Sequence, residues 1–223
     1  MRHSWKSSFA LGLAVLMCLS TAGCARWGAL VYALGGGRGQ KIPAEYELPP
    51  GKLLILVDDP KERVTWPRAR TLLAQFTGEE LLEHEAVSTI ISPRSLAKFR
   101  QSDSNFERYA ADEIGRKLGA KTVLWIEVSD FEAPEEVEEI SSAANLTLSI
   151  KVLTTAEEVS PHGVRLWPSV GSGRIVESSL NAIAVNKTEG ENAVAKELAR
   201  RSAILVARLF YEHTLGDIED DGV

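Results

Sequence analysis

Few residues in this sequence could do chemistry, and most of them sit in acidic surroundings. Asp58-Asp59 closes an apolar run and is followed by Pro60. Two adjacent carboxylates at the end of a buried strand could hold Mg²⁺, and open α/β sheets gather ligands at that end. The same dipeptide before proline also serves simply to stop a strand and start a turn. Glu80 and His84 stand four apart, a spacing that brings both to one helical face within reach of a metal. Glu79, Glu83 and Glu85 surround them, however, and a solvated helix end that favours histidine explains the group equally well. A hydrolase would need a nucleophile, a base and an orienting acid. There is no Gly-x-Ser-x-Gly elbow, and His162 and His213 have no nameable partner. No catalytic residue, metal ligand or cofactor site is assigned. Between 127 and 139 stand Glu127, Asp130, Glu132, Glu135, Glu136, Glu138 and Glu139, with no base among them. Such a run could dock a basic partner by an attraction that salt weakens, or be a solvated loop. Trp167, beside Pro168, could anchor an interface or tuck against its own sheet. Trp125, inside an apolar run, reads as core.

The elements that position these residues begin after an unusual N-terminus. Arg2 and Lys6 precede Phe9–Leu19, an uninterrupted apolar run of eleven residues. That length suits the central region of an export signal and falls short of the ~20 residues a spanning helix needs. Leu19-Ser20-Thr21-Ala22-Gly23-Cys24 follows and resembles a bacterial lipobox, with Thr21 where leucine is usual. The resemblance implies that 1–23 are a signal peptide and that the Cys24 thiol carries a diacylglycerol. Cleavage after Ala22 by ordinary signal peptidase would instead leave a soluble periplasmic or secreted protein. Cleavage before Cys24 leaves 200 of the 223 residues; with Arg2 and Lys6 gone, 23 basic side chains face 31 acidic ones, a charge of −8. Cys18 leaves with the signal, so no disulfide is available and packing must supply stability. An acidic balance argues against a nucleic-acid partner, since proteins that bind nucleic acid normally carry a basic surplus.

Residues 24–51 combine the cysteine, a short apolar stretch (25–34) and a Gly/Pro linker. The glycine cluster at 35–39 is no phosphate loop: it lacks Gly-Lys-Ser/Thr and precedes the strand it should follow. The domain is expected over 52–213. Leu53–Val57 reads as a strand buried on both faces. A helix over 64–84 carries the stripe Ala69, Leu72, Leu73, Phe76 and Glu80. Val87–Ile91 reads as a strand, Ser92-Pro93 as an N-cap with proline at the first turn, and 105–118 as a helix ended by Gly119. Lys121–Ser129 is the strongest strand. Leu146, Leu148, Ile150 and Val152 alternate with polar residues, as a half-exposed strand does. A strand over 174–185, a helix over 190–212 and an acidic tail at 214–223 complete the chain. The expected fold is α/β: β-α-β-α-β, then antiparallel strands and a C-terminal helix, a mixed sheet flanked by helices.

Leu118-Gly119-Ala120 leading into Lys121–Val128, the alternation 146–153, and Gly163-Val164-Arg165-Leu166-Trp167 together resemble the periplasmic lipoprotein domains of the CsgG, LpoB and TolB N-terminal type, over about 52–212. The resemblance implies binding and assembly at the inner face of the outer membrane, by a protein anchored through N-terminal acyl chains with a protein partner in the envelope. Ala25 after the cysteine, by resemblance to enterobacterial sorting, implies the outer membrane. The alternatives are an exported metal-dependent hydrolase using Asp58, Asp59 or the Glu80/His84 pair, and an oligomeric CsgG-like channel component. The acidic 127–139 stretch departs from the lipid-facing hairpins a channel would need.

Overall fold

A computed structural model of the chain describes residues 41–64, 66, 68–132, 143–156, 164–181 and 193–214. The signal, Cys24, residues 133–142, including Glu135, Glu136, Glu138 and Glu139, and the tail from 215 lie outside the described residues. The elements are β1 (Lys41–Ile42), β2 (Lys52–Asp58), α1 (Arg68–Glu83), β3 (Thr89–Ile90), α2 (Pro93–Ser102), α3 (Ala111–Lys117), β4 (Thr122–Glu132), β5 (Ala143–Thr154), β6 (Arg165–Trp167), β7 (Arg174–Asn181), α4 (Ala193–Ala207) and β8 (His213–Thr214). The main body, Pro43–Glu212, is a mixed α/β domain. The antiparallel pair β1 and β8 belongs to a separate small unit.

The main sheet runs β3-β2-β4-β5, with β6 and β7 both on the far side of β5. β2 is parallel to β3 and β4, and β4 to β7 are antiparallel pairings. The period-two geometry of a strand sends alternate side chains to opposite faces. On one face Leu53, Ile55, Val57, Leu124, Ile126, Leu148 and Ile150 pack with α1 and α4. On the other, Leu54, Leu56, Val123 and Leu153 meet Leu96 of α2 and Ile114 of α3. Leu53 to Val57 are all buried because helices cover both faces.

Ser92 caps α2, its Oγ accepting from Arg94 N at 3.3 Å. Gly119, at φ +74°, takes the left-handed conformation that ends the helical segment. The expected helix at 105–118 is interrupted: Phe106–Arg108 is a 3₁₀ turn and Ala110 is extended before α3 begins. The Asp103 carboxylate accepts from Asn105 N at 2.9 Å and from the Tyr109 hydroxyl at 3.1 Å. These local bonds compete with helical ones. The half-exposed reading of β5 is also corrected. Ser149 and Lys151 are buried along with the apolar set, because the second face is partly roofed. The segment expected as linker ahead of β2 is tied down in part. Tyr46 and Leu48 pack on the core, and Arg174 donates twice to the Glu45 carboxylate, at 2.8 Å each. Those hydrogen bonds hold the Glu45 carboxyl below its usual range.

Candidate functional site

A cleft of about 630 Å³ opens on the second face of the sheet, within the size range of ordinary ligand sites. Strand register builds its floor. Leu56 of β2 lies beside Trp125 of β4, which lies beside Lys151 of β5. One row further back, Leu54, Val123 and Leu153 are adjacent and belong to the apolar cluster with α2 and α3. One row further forward stands Asp58, level with Glu127. The cleft opens where apolar cover ends and polar residues begin. Phe106, Tyr109, Asp112 and Ile114 form one wall; Val164, Arg165 and Ser169 form another.

Trp125, expected as core, is half-buried on this floor. Lys151 lies over its ring, Nζ 4.2 Å from the centroid, and donates to Glu127 Oε2 at 2.9 Å. Arg100 lies over Phe106 at 4.6 Å and has its Nε 3.8 Å from Glu107. Lys117 covers Tyr109 at 4.3 Å, and Arg116 pairs with Asp112 at 3.3 Å. Two donors on cleft residues, Trp125 Nε1 and Arg100 Nε, are buried without an acceptor. Each such orphan costs about 1–3 kcal/mol.

The adjacent aspartates divide. Asp58 lines the cleft, at the carboxyl end of β2. Asp59 is buried, and its carboxylate accepts from the backbone N–H of Arg63 at 3.0 Å and of Val64 at 2.8 Å. Its second role, as a turn-former, is the one it performs. Glu80 of α1 and His84, the residue just past its end, do meet, at 3.7 Å, and the His84 ring stacks on Tyr211 at 3.9 Å. They stand at the C-terminal end of the helix that covers the opposite face of the sheet from the cleft. Among the described residues no three candidate ligands gather for a metal.

In the acidic stretch, the three foremost carboxylates have intramolecular partners. Glu127 holds Lys151, Asp130 pairs with Arg63, and Glu132 accepts from Asn145 Nδ2 at 3.3 Å. Trp167 tucks against its own body: its ring stacks on Tyr46 and meets Phe210 edge-on, both at 5.8 Å. Sequence reading passed over Lys151, Arg165, Arg100 and Tyr109 as site residues. A lysine among apolar alternation in β5 was the one visible signal, since a buried lysine needs a partner.

No protein-family model matches the chain, and no curated protein does. Solved structures that resemble it include a hypothetical protein, CT253, from Chlamydia trachomatis, at 13% identity over 71% of this chain and 95% of that one, with a TM-score of 0.43. The lipoprotein GNA1162 from Neisseria meningitidis aligns at 12% identity over 62% and 89%, TM-score 0.42. The C-terminal domain of LpoB from Salmonella enterica aligns at 16% over 69% and 93%, TM-score 0.33. Among the described residues no helix is long and apolar enough to cross a membrane.

Proposed function

We propose that the chain is a lipid-anchored periplasmic protein, a non-enzymatic binding and assembly factor of the bacterial envelope. Acyl chains on Cys24 hold it at the outer membrane, and its α/β domain engages a protein partner. The observation that carries this reading is the order of the first 24 residues: basic start, eleven-residue apolar run, small residues, cysteine. Each buried acyl CH₂ contributes about 0.8 kcal/mol, so several chains anchor firmly without a spanning helix. The cleft supports recognition as the domain's task, since most of its charges are already engaged with one another. Growth with radiolabelled palmitate tests the anchor. The wild-type chain takes the label and sediments with membranes; Cys24→Ala loses the label and becomes soluble. An unlabelled wild type refutes it.

A further inference from the structure

Carboxylates and cations on the cleft floor do not balance. Asp58 of β2 and Glu127 of β4 are register partners on adjacent parallel strands. Alternation sends both to the cleft face, two residues beyond Leu56 and Trp125. Their backbones are about 4.8 Å apart, so two like charges stand side by side. One ammonium serves this row, and it is committed: Lys151 Nζ lies 2.9 Å from Glu127 Oε2 and over the Trp125 ring. The half-buried Asp58 carboxylate has neither an ion pair nor a hydrogen bond among the described residues. The other cations of the lining are held elsewhere, Arg100 over Phe106 and beside Glu107, Arg165 on Gly171 O.

A second carboxylate beside Glu127, drawn partly out of water with no cation of its own, is destabilising in the domain by itself. A cation brought in by a ligand relieves it. Two features say which kind. Among the described residues no three candidate metal ligands gather, so the floor is no cage for a bare metal ion, which takes six or more ligands when it is Mg²⁺ or Ca²⁺. The same cleft is lined by carbon, from Leu56, Ile114, Leu153 and Val164, which suits a cation carried on an apolar stem. Lys151 displays that arrangement on this very floor: its ammonium meets a carboxylate while its stem is buried.

We infer that the cleft is a receptor site for an alkylammonium group, whose charge meets Asp58 and whose stem lies over Leu56. That is the chemistry of a lysine side chain on a protein partner and of a free primary amine. The inference deepens the proposed binding role by naming what the domain recognises. It fails or stands separately from the anchor, because Cys24→Ala removes the acyl chains and leaves the cleft unchanged.

Nuclear magnetic resonance titration of the ¹⁵N-labelled full chain in mild detergent, at fixed ionic strength, tests it. The signal followed is the Trp125 indole N–H, identified by its loss in Trp125→Phe. N-acetyl-lysine methylamide and n-butylamine are the ammonium probes; N-acetyl-norleucine methylamide and N-acetyl-glutamate methylamide are the neutral and anionic controls. At millimolar concentration the lysine compound moves the signal to saturation, and both controls bind about tenfold or more weakly, a difference of about 1.4 kcal/mol. Tighter binding of the lysine compound than of butylamine assigns the cation to a protein side chain, and equal binding assigns it to a free amine; both sustain the inference. Asp58→Asn binds the lysine and norleucine compounds alike. It melts at or above the wild type, since it removes an unpaired charge beside Glu127. The inference is overturned if neither ammonium probe moves the signal, if either control binds as well as the lysine compound, or if Asp58→Asn keeps the preference for the ammonium.

Discussion

Glu127→Gln tests the account of the cleft floor most directly. Lys151 is 8% exposed, with its ammonium 2.9 Å from Glu127 and stacked on Trp125. Glu127 faces Ser149 across the ladder and reaches diagonally to Lys151. Removing one partner of a fully buried ion pair costs about 3–5 kcal/mol, because the other charge is left without compensation. The Glu127 side chain keeps 30% exposure, so water shares the load. The cation–π contact remains, worth about 1 kcal/mol. The expected loss is therefore about 1–2 kcal/mol, a fall of about 2–4 °C in Tm per kcal/mol for a domain of this size. Lys151→Met should cost less, within about 1 kcal/mol, since the thioether keeps most of the stem and removes the charge. Added to Glu127→Gln, it should recover stability. Urea unfolding of the unacylated Cys24→Ala chain, followed by fluorescence and extrapolated linearly, reads all four corners of this cycle. If Glu127→Gln is as stable as its parent, or the double variant is no better than Glu127→Gln, the pair does not carry the floor.

Two further outcomes are expected. A Cβ at Gly115 of α3 would overlap Val123 Cγ2 and lie 2.8 Å from Thr155 Cγ2; Gly115→Ala should thus lower the unfolding free energy by about 1–2 kcal/mol, and the urea midpoint with it, despite its better helix propensity, and an unchanged midpoint would show the contact to be loose. Burial first, and then the Glu80 charge, push the Tyr211 hydroxyl up to about 12. The unfolded chain releases that proton from about pH 10 while the folded one keeps it, so stability is full below pH 10 and falls through pH 12. Tyr211→Phe should flatten this alkaline decline in pH-dependent melting, and an identical slope in the variant would assign the decline to other groups.

The apolar code of the sheet was legible because it is local. Leu53 to Val57 can satisfy only a doubly covered strand, and Ser92-Pro93 can hardly be anything but a helix start. The interruption of the expected 105–118 helix was less visible, because Phe106 and Ile114 are buried in the expected stripe. Between them the backbone passes from a 3₁₀ turn to extended residues at Tyr109 and Ala110, and ahead of that turn the Asp103 carboxylate takes up the N–H of Asn105. The cleft was not legible at all. Leu56, Trp125 and Lys151 are separated by tens of residues and become neighbours only through register, and Arg165 joins them from a strand of three residues. The acids of 127–132 looked like a free patch because their partners, Lys151, Arg63 and Asn145, are distant in the chain.

Asp58 and Asp59 show how a strand can separate two identical neighbours. Alternation turns one carboxylate toward the cleft and the other into the turn that ends β2. A library of substitutions should therefore find them unequal. Position 59 should accept little but a short acceptor, since two backbone N–H groups depend on it. Position 58 should accept almost anything the fold can solvate, so its side chain can drift with the ligand without endangering the domain. The boundary between what the fold must keep and what binding is free to change passes through one peptide bond.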